Sequence, residues 1–395
     1  MYDLIIRQAL SVDDHLGERP LPHGQPHLVD VAIHEGKIVT IGTLPIDAAA
    51  RHTLNLHGQV YLSAGWIDSH THCYPDSPLY HDEPDRVGVL AGVTTVVDAG
   101  STGADDIDAF ARDAAHCRTR VQALLNLSRI GLRRQNELAT QQDLDLALLE
   151  EALQRHPQFI VGLKARMSAS VVGSNGLWPL QQAKQVQLRY PHLPLMVHVG
   201  NTPPALDDIV ALLGQGDILT HCYNGKPNRI LTLEGHVRPA VHAALLRGML
   251  LDVGHGSASF SFQVAEQAIR QGLLPHIISS DIYCKNRIHG PVFGLAHIMS
   301  KFLLLGMSLP QVLACVTAHP AAALKLRDRG RLAPGMSADL TLFTLQQQLH
   351  QFEDCEQVCR QGDLLIRPLA AMVRGQCTLT DYGTQHHVFH EYRHA

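Results

Sequence analysis

The chain has 395 residues, 45% of them hydrophobic, which is material for one large domain and a smaller one. A formal net charge of −5 without a basic run argues against nucleic acid or an anionic membrane surface as a partner. No apolar run reaches the roughly 18 residues of a membrane span, and Met1-Tyr2-Asp3-Leu4-Ile5-Ile6-Arg7 lacks the pattern of a secretory leader. A cytoplasmic protein is expected, with no membrane partner. The cysteines at 73, 117, 222, 284, 315, 355, 359 and 377 form no Cys-x-x-Cys pair and read as free thiols.

Residues 1–61 read as all-β, with short runs at Asp3-Leu4-Ile5-Ile6 and Asp30-Val31-Ala32-Ile33 and an alternating strand over 36–42. Between them, 13–27 are rich in Pro, Gly and His and read as a loop. The C-terminal part, 331–395, has the same character, as in Ala338-Asp339-Leu340-Thr341-Leu342-Phe343. The two ends are therefore expected to meet as one small β-sandwich domain around a central domain of residues 62–330.

That middle alternates strand and helix. Apolar strand candidates lie at 62–69, 93–98, 121–127, 158–164, 193–199, 217–222, 249–253 and 276–281. Helical candidates follow at 104–116, 142–155, 178–190, 236–247, 260–271 and 291–305, with shorter ones near 84–91 and 205–213. Eight βα units over about 270 residues suit a closed parallel barrel. The strands are apolar throughout, as expected where both faces are buried. An open doubly wound sheet would normally show a Gly-rich phosphate turn after its first strand, and none is present. The fold class is α/β, a (β/α)8 TIM-type barrel with a small β-sandwich.

Barrel enzymes carry their sites at the C-terminal ends of the strands. Here the first strand ends in His70 and His72, which share a face because side chains alternate along a strand. The fourth ends in Lys164, with Arg166 on the same face. The fifth and sixth end in His198 and His221, and the eighth in Asp281. In a chain with 26 histidines one such pair means little. Ligand-type groups at successive strand ends point to a metal centre. Cys73 and Cys222 follow metal-type histidines and are turned to the opposite face, as small core residues. Asp105-Asp106 reads as a capped helix N-terminus.

The order His-x-His, Lys, His, His, Asp resembles that of the metal-dependent amidohydrolase superfamily, over nearly the whole chain. By that resemblance Lys164 is carboxylated, and its carbamate bridges two divalent ions, a role a free lysine cation cannot fill. His70, His72 and Asp281 then hold the more buried ion, and His198 and His221 the more exposed one. Zinc suits these donors, with manganese or another divalent ion as the alternative. The implied reaction is hydrolysis of an amide, cyclic amide or ester by a metal-bridging hydroxide, with Asp281 as general base and then acid.

Dihydroorotases share this ligand set but usually place an arginine just after His-x-His, where this chain has Cys73-Tyr74. Adenine deaminases of the superfamily usually carry a glutamate shortly after the pair, also missing here. The stretches Lys164-Ala165-Arg166, His198-Val199-Gly200-Asn201, Thr220-His221-Cys222-Tyr223-Asn224-Gly225 and Asp252-Val253-Gly254-His255-Gly256 look more like the amidohydrolase/deacetylase subgroup, often mislabelled dihydroorotase or adenine deaminase. That implies a small-molecule substrate, an acetylated amino or hydroxy acid. A cyclic amidase such as dihydroorotase or a hydantoin ring opener is the alternative, and a non-catalytic scaffold a third. Arg166 is the candidate for a substrate carboxylate, set against a structural pairing with a barrel carboxylate such as Asp98. Tyr74 is a candidate oxyanion donor. Tyr223 and His255 are candidate pocket residues, against packing for Tyr223 and a solvated loop for His255. Asp68 is a candidate partner behind His70. A homo-oligomer is compatible with the sequence.

Overall fold

The computed structural model describes residues 1–13 and 25–389. Most of the loop expected over 13–27 therefore lies outside the described residues. From the N-terminal part come β1 (Tyr2–Ser11), β2 (His27–His34), β3 (Lys37–Gly42), β4 (Ala50–Asn55) and β5 (Tyr61–Ala64). The middle contributes β6 (Trp66–Thr71), β7 (Val93–Ala99), β8 (Arg120–Asn126), β9 (Ile160–Met167), β10 (Leu195–Val199), β11 (Ile218–Thr220) and β12 (Leu250–Leu251). The chain ends with β13 (Leu340–Glu353), β14 (Cys359–Val373) and β15 (Gln376–Leu379).

The seven middle strands form one parallel sheet in the order β6 to β12. The eighth stretch closes the barrel through two parallel bridges, Asp252 to Ile277 and Ile282 to Thr71. It lacks a longer ladder because the chain turns sharply there: Asp281 takes a left-handed φ of 51°. Helices follow the strands as expected; those at Pro84–Val87 and Trp178–Arg189 start where expected, and others start later. The helix Leu295–Leu304 begins only after Gly290-Pro291-Val292-Phe293-Gly294, where Phe293 and two glycines have positive φ. Asp106 stands at the start of the helix Ile107–Ala114 but makes no side-chain cap. It pairs with Arg133, and Asp105 with Arg129, so the expected capping role gives way to ion pairs.

Both chain ends build a second sheet of eight strands, in which β5 joins β13 to β1. The run read as one strand over 62–69 is thus two, and the break falls at Gly65. A side chain there would meet the Thr94 hydroxyl at 2.2 Å, so only glycine lets the chain pass so close to β7 as it changes sheets. Trp66, fully buried, packs against Phe343 of β13 and donates from Nε1 to Ser63 Oγ at 3.1 Å. All eight cysteines are free, and Cys73 and Cys222 are fully buried in the barrel core, as expected. No helix among the described residues is long and apolar enough to cross a membrane.

One buried ion pair ties the two sheets together. Arg120, at the start of β8, donates to Asp339 through Nε at 2.5 Å and Nη2 at 3.2 Å, and to Ser337 Oγ at 2.6 Å. Asp339 is 3% exposed. Removing one partner of such a pair strands a buried charge, at about 3–5 kcal/mol. Arg120→Ala is expected to lower the unfolding free energy by that order in urea titration, while Arg120→Lys retains part of it.

Candidate functional site

The first-strand histidines are aimed by groups behind them. His70 Nδ1 lies 2.9 Å from Thr220 Oγ1, and that hydroxyl donates its own proton to Asp252 Oδ2 at 2.7 Å. The Thr220 oxygen is left to accept, so His70 carries its proton on Nδ1 and turns the Nε2 lone pair into the barrel. His221 is fixed in the same way: Nδ1 donates to the Gly254 carbonyl at 2.6 Å, leaving Nε2 as an acceptor. His72 Nδ1 sits 2.8 Å from Ser101 Oγ.

The inward atoms meet in one volume. His70 Nε2 lies 3.0 Å from Lys164 Nζ and 3.3 Å from Asp281 Oδ1, and His72 Nε2 lies 3.1 Å from the same carboxylate oxygen. His221 Nε2 is 2.7 Å from His198 Nδ1. Ligand atoms of His70, His221 and Asp281 all lie within 4.8 Å of one another. All six strand-end residues named from the sequence are brought together.

Electrostatics favour the metal-binding forms. Burial, followed by the Lys164 charge, holds His70 well below the usual histidine range. Burial also lowers His198 and brings His221 down to about 3. Imidazoles kept neutral are the form that ligates a metal. Burial pulls Lys164 down to about 7; its Nζ lies by the His70 nitrogen and 3.3 Å from Met196 Sδ, and among the described residues no carboxylate hydrogen-bonds to it. Burial works against the Asp281 carboxylate, but His70, His72 and His221 outweigh it, and the group stays ionised far below its ordinary range. A cluster of inward lone pairs around one carboxylate fits a divalent cation. Amidohydrolases generally use a divalent metal centre, and His70, His221 and Asp281 are placed to bind one.

Two ligand-type residues sit in the left-handed region, His221 at φ 63° and Asp281 at φ 51°. For residues other than glycine this costs about 1 kcal/mol each. Glycines give them room. A Cβ at Gly254 would lie 2.2 Å from Thr220 Oγ1, 2.9 Å from His221 Nδ1 and 3.1 Å from His70 Nδ1, and one at Gly256 would lie 2.3 Å from Asp281 Oδ2.

The cluster opens into a cavity of about 220 Å³, walled by Tyr80, Arg166, Asn201, Lys226, Ser257 and Tyr283 among others. That is below the roughly 300–1,000 Å³ of sites enclosing drug-sized ligands. Arg166 reaches this cavity, but its Nη1 pairs with both oxygens of Glu137 at 3.2 and 3.3 Å and its Nη2 with Gln135 at 3.0 Å. Asp98 is not its partner. That carboxylate accepts the backbone N–H groups of Cys73, Tyr74 and Ser101.

Three candidate pocket residues lie elsewhere. Tyr74 packs on Phe110 in the barrel core, because Asp98 draws its backbone back from the cavity. The Tyr223 hydroxyl donates to the Leu273 carbonyl at 2.7 Å, outside the cavity wall. His255 is neither solvated nor on that wall. It is fully buried, stacked on Phe260, and accepts at Nε2 from Lys301 Nζ at 2.8 Å. Asp68 accepts from the Ser280 N–H at 3.0 Å and from the Ser280 hydroxyl, so it fastens the eighth stretch to β6 and does not touch the His70 ring. Thr220 and Asp252, which do stand behind that ring, escaped the sequence reading. Both are buried polar residues at the ends of apolar strands, Thr220 closing β11 and Asp252 following β12, a pattern that demands a partner and marks them in retrospect. Tyr80, Tyr283 and Lys226 come from loops, where no periodicity points inward.

Residues 61–373 match the family model described as "Amidohydrolase family". A protein of Enterococcus faecalis named "Deacetylase" is 42% identical, over 95% of this chain and 98% of its own. A solved structure described as an adenine deaminase superposes with a TM-score of 0.90 at 41% identity, covering 96% of this chain and 100% of that one. Another, described as a dihydroorotase, gives a TM-score of 0.85 at 33% identity, over 96% and 99%. With the strand-end cluster in place and the match running from β5 to the end of β14, the chain belongs to the amidohydrolase family and is a hydrolase.

Proposed function

We propose that this hydrolase cleaves the ester or amide bond of a small acylated acid, as a deacetylase does, at a binuclear centre. The observation carrying this reading is the shared volume into which His70 and His221 turn unprotonated nitrogens beside the Asp281 carboxylate. His70, His72 and Asp281 would hold the inner of two divalent ions and His198 and His221 the outer one, with a carbamate on Lys164 between them; zinc suits these donors. When bound, such a pair supplies a water deprotonated near neutral pH and an electrophile for the carbonyl oxygen.

The chain's own residues do the rest. Asp281, kept ionised by the surrounding imidazoles, accepts the proton of the attacking water and delivers it to the leaving oxygen or nitrogen. Asn286 steadies Asp281 by donating to its main-chain carbonyl at 3.0 Å. The Tyr80 and Tyr283 rings, 4.9 Å apart, wall the cavity beside His72. Lys164, buried and among the described residues without a carboxylate partner, is suited to capture carbon dioxide as the free amine. The relative named deacetylase supports the choice of an acylated substrate.

Dihydroorotate hydrolysis is the second reading, favoured by likeness to the structure described as a dihydroorotase. Against it, Cys73 and Tyr74 are buried away from the cavity, so nothing just after His72 can grip that substrate's carboxylate. Assay of purified enzyme against N-acetyl amino acids, acetylated hydroxy acids and dihydroorotate decides between them. Turnover of an acylated acid, with about two divalent ions per chain, is expected. Turnover of dihydroorotate alone would overturn the proposal, and a content near one ion would overturn the carbamate-bridged pair.

Two variants probe the roles assigned. Asp281→Asn should retain most of the metal and lose on the order of 10²–10⁴ in kcat; full activity would remove Asp281 as the proton carrier. Gly254→Ala should push Thr220 and both histidines out of position. Metal analysis is expected to show lost occupancy while circular dichroism keeps the fold signature.

A further inference from the structure

Besides the imidazoles, three nitrogen-bearing side chains of basic type reach the cavity: Lys164, Arg166 and Lys226. Lys164 lies at the base, held between His70 and Met196. Arg166 is engaged by Glu137, a carboxylate with no solvent exposure, and by Gln135, so its charge is already answered inside the protein. Lys226 is different. Among the described residues no carboxylate pairs with its ammonium, although the side chain is partly buried in the cavity wall. An ammonium drawn out of water without a counter-ion is unfavourable until an anion arrives. Burial accordingly pulls this group's pKa down, and the charge of Asp281 across the cavity only partly restores it.

The loop holding Lys226 is fixed to the metal-type cluster. Asn224, fully buried, donates to the His221 carbonyl at 2.9 Å and accepts the Lys226 N–H at 3.1 Å. Gly225 presses on Glu356 so closely that a Cβ would lie 2.0 Å from Oε1, and Arg229 donates to the Gly225 carbonyl at 3.3 Å. The main chain at Lys226 is thus set at a constant offset from His221, which suits one fixed anchor point on a small substrate. Hydroxyls of Ser257 and Ser259 and the Asn201 side chain share the wall and can complete a carboxylate's hydrogen bonds.

We propose that Lys226, and not Arg166, recognises the carboxylate of the acylated acid, so that the acid group of the substrate lies toward the loop after β11. This rests on the deacetylase reading and adds the residue that sets the substrate class. Arg166 then acts structurally, holding Glu137 and the loop after β8.

The test pairs an acylated acid with its own carboxamide, using metal-loaded wild type, Lys226→Met and Lys226→Arg. Lys226→Met should raise KM for the acid by about tenfold or more, the scale of a charge-assisted hydrogen bond, with kcat moving less. The carboxamide should lose less than about a third of that factor, and Lys226→Arg should recover most of the loss on the acid. A binding arm does not depend on turnover: benzoate should raise the Tm of the wild type and not that of Lys226→Met. If benzoate protection requires Lys226 while no acylated acid is hydrolysed, the deacetylase reading falls and the anion site stands. Equal losses on acid and carboxamide, or equal benzoate protection of wild type and Lys226→Met, would overturn the assignment.

Discussion

This barrel holds ring and amine nitrogens at hydrogen-bonding distance of one another around a single buried carboxylate. His221 Nε2 and His198 Nδ1 approach to 2.7 Å, and His70 Nε2 and Lys164 Nζ to 3.0 Å, with one carboxylate among them. What keeps three of the rings in place is the far side of each: Thr220 and Asp252 behind His70, the Gly254 carbonyl behind His221, and Ser101 behind His72. These supports come from different strands and loops. None of the three is oriented by its own strand alone, so the cluster exists only once the barrel has closed. The left-handed backbone at His221 and Asp281 belongs to the same economy of space. Strain at those two residues persists because the surrounding contacts over-determine them.

The sheet built from the chain ends takes part in this. The tip of the β13–β14 hairpin reaches the loop after β12, where the Asp354 carboxylate accepts the Phe262 N–H at 2.8 Å and the Cys355 N–H donates to the Phe260 carbonyl at 3.1 Å. Lys301 clamps the same region, donating to the Glu353 carbonyl at 2.6 Å, the Pro291 carbonyl at 3.1 Å and His255. Three acceptors satisfy all three of its N–H groups, which is how a lysine with no exposure is tolerated without a carboxylate. The loop so held carries Gly254 behind His221, Gly256 beside Asp281, and Ser257 to Ser259 on the cavity wall. Through this contact the second sheet fixes one wall of the cavity.

The strand ends were legible in the sequence because an apolar run stopped by a histidine, lysine or aspartate says both where the strand lies and what its end carries. That logic survived even at 276–281, where pairing shrinks to single bridges yet Asp281 still meets His70 and His72. It failed one or two residues further on. Tyr74 and Tyr223 each stand two residues past a ligand-type histidine, and alternation alone would keep them on the same face. The strands have ended by then, and the chain turns both rings into the core. His255 was misread because a Gly-rich loop looks solvated, whereas its neighbours Phe260 and Lys301 supply stacking and a proton donor inside the protein. The split of 62–69 at Gly65 was invisible because both halves are equally apolar; only the proximity of Thr94 separates them.

Arg166 shows why a cation near the reacting groups need not be the one that reads the substrate. A strand residue two positions past Lys164 has a fixed direction, and its charge must be balanced whether or not substrate is present. Glu137 does this from within, its carboxylate paired with the guanidinium, whose charge opposes the upward pull of burial on that group. A group already neutralised gains little from a second anion, since the new contact must displace or share the old one. Lys226, on a loop and without a counter-ion among the described residues, gains the full benefit of an anion while the strand-end cluster stays undisturbed. Strand ends can then be held constant for the chemistry while loops alter which acid is accepted, because a loop cation can change without unbalancing a buried pair.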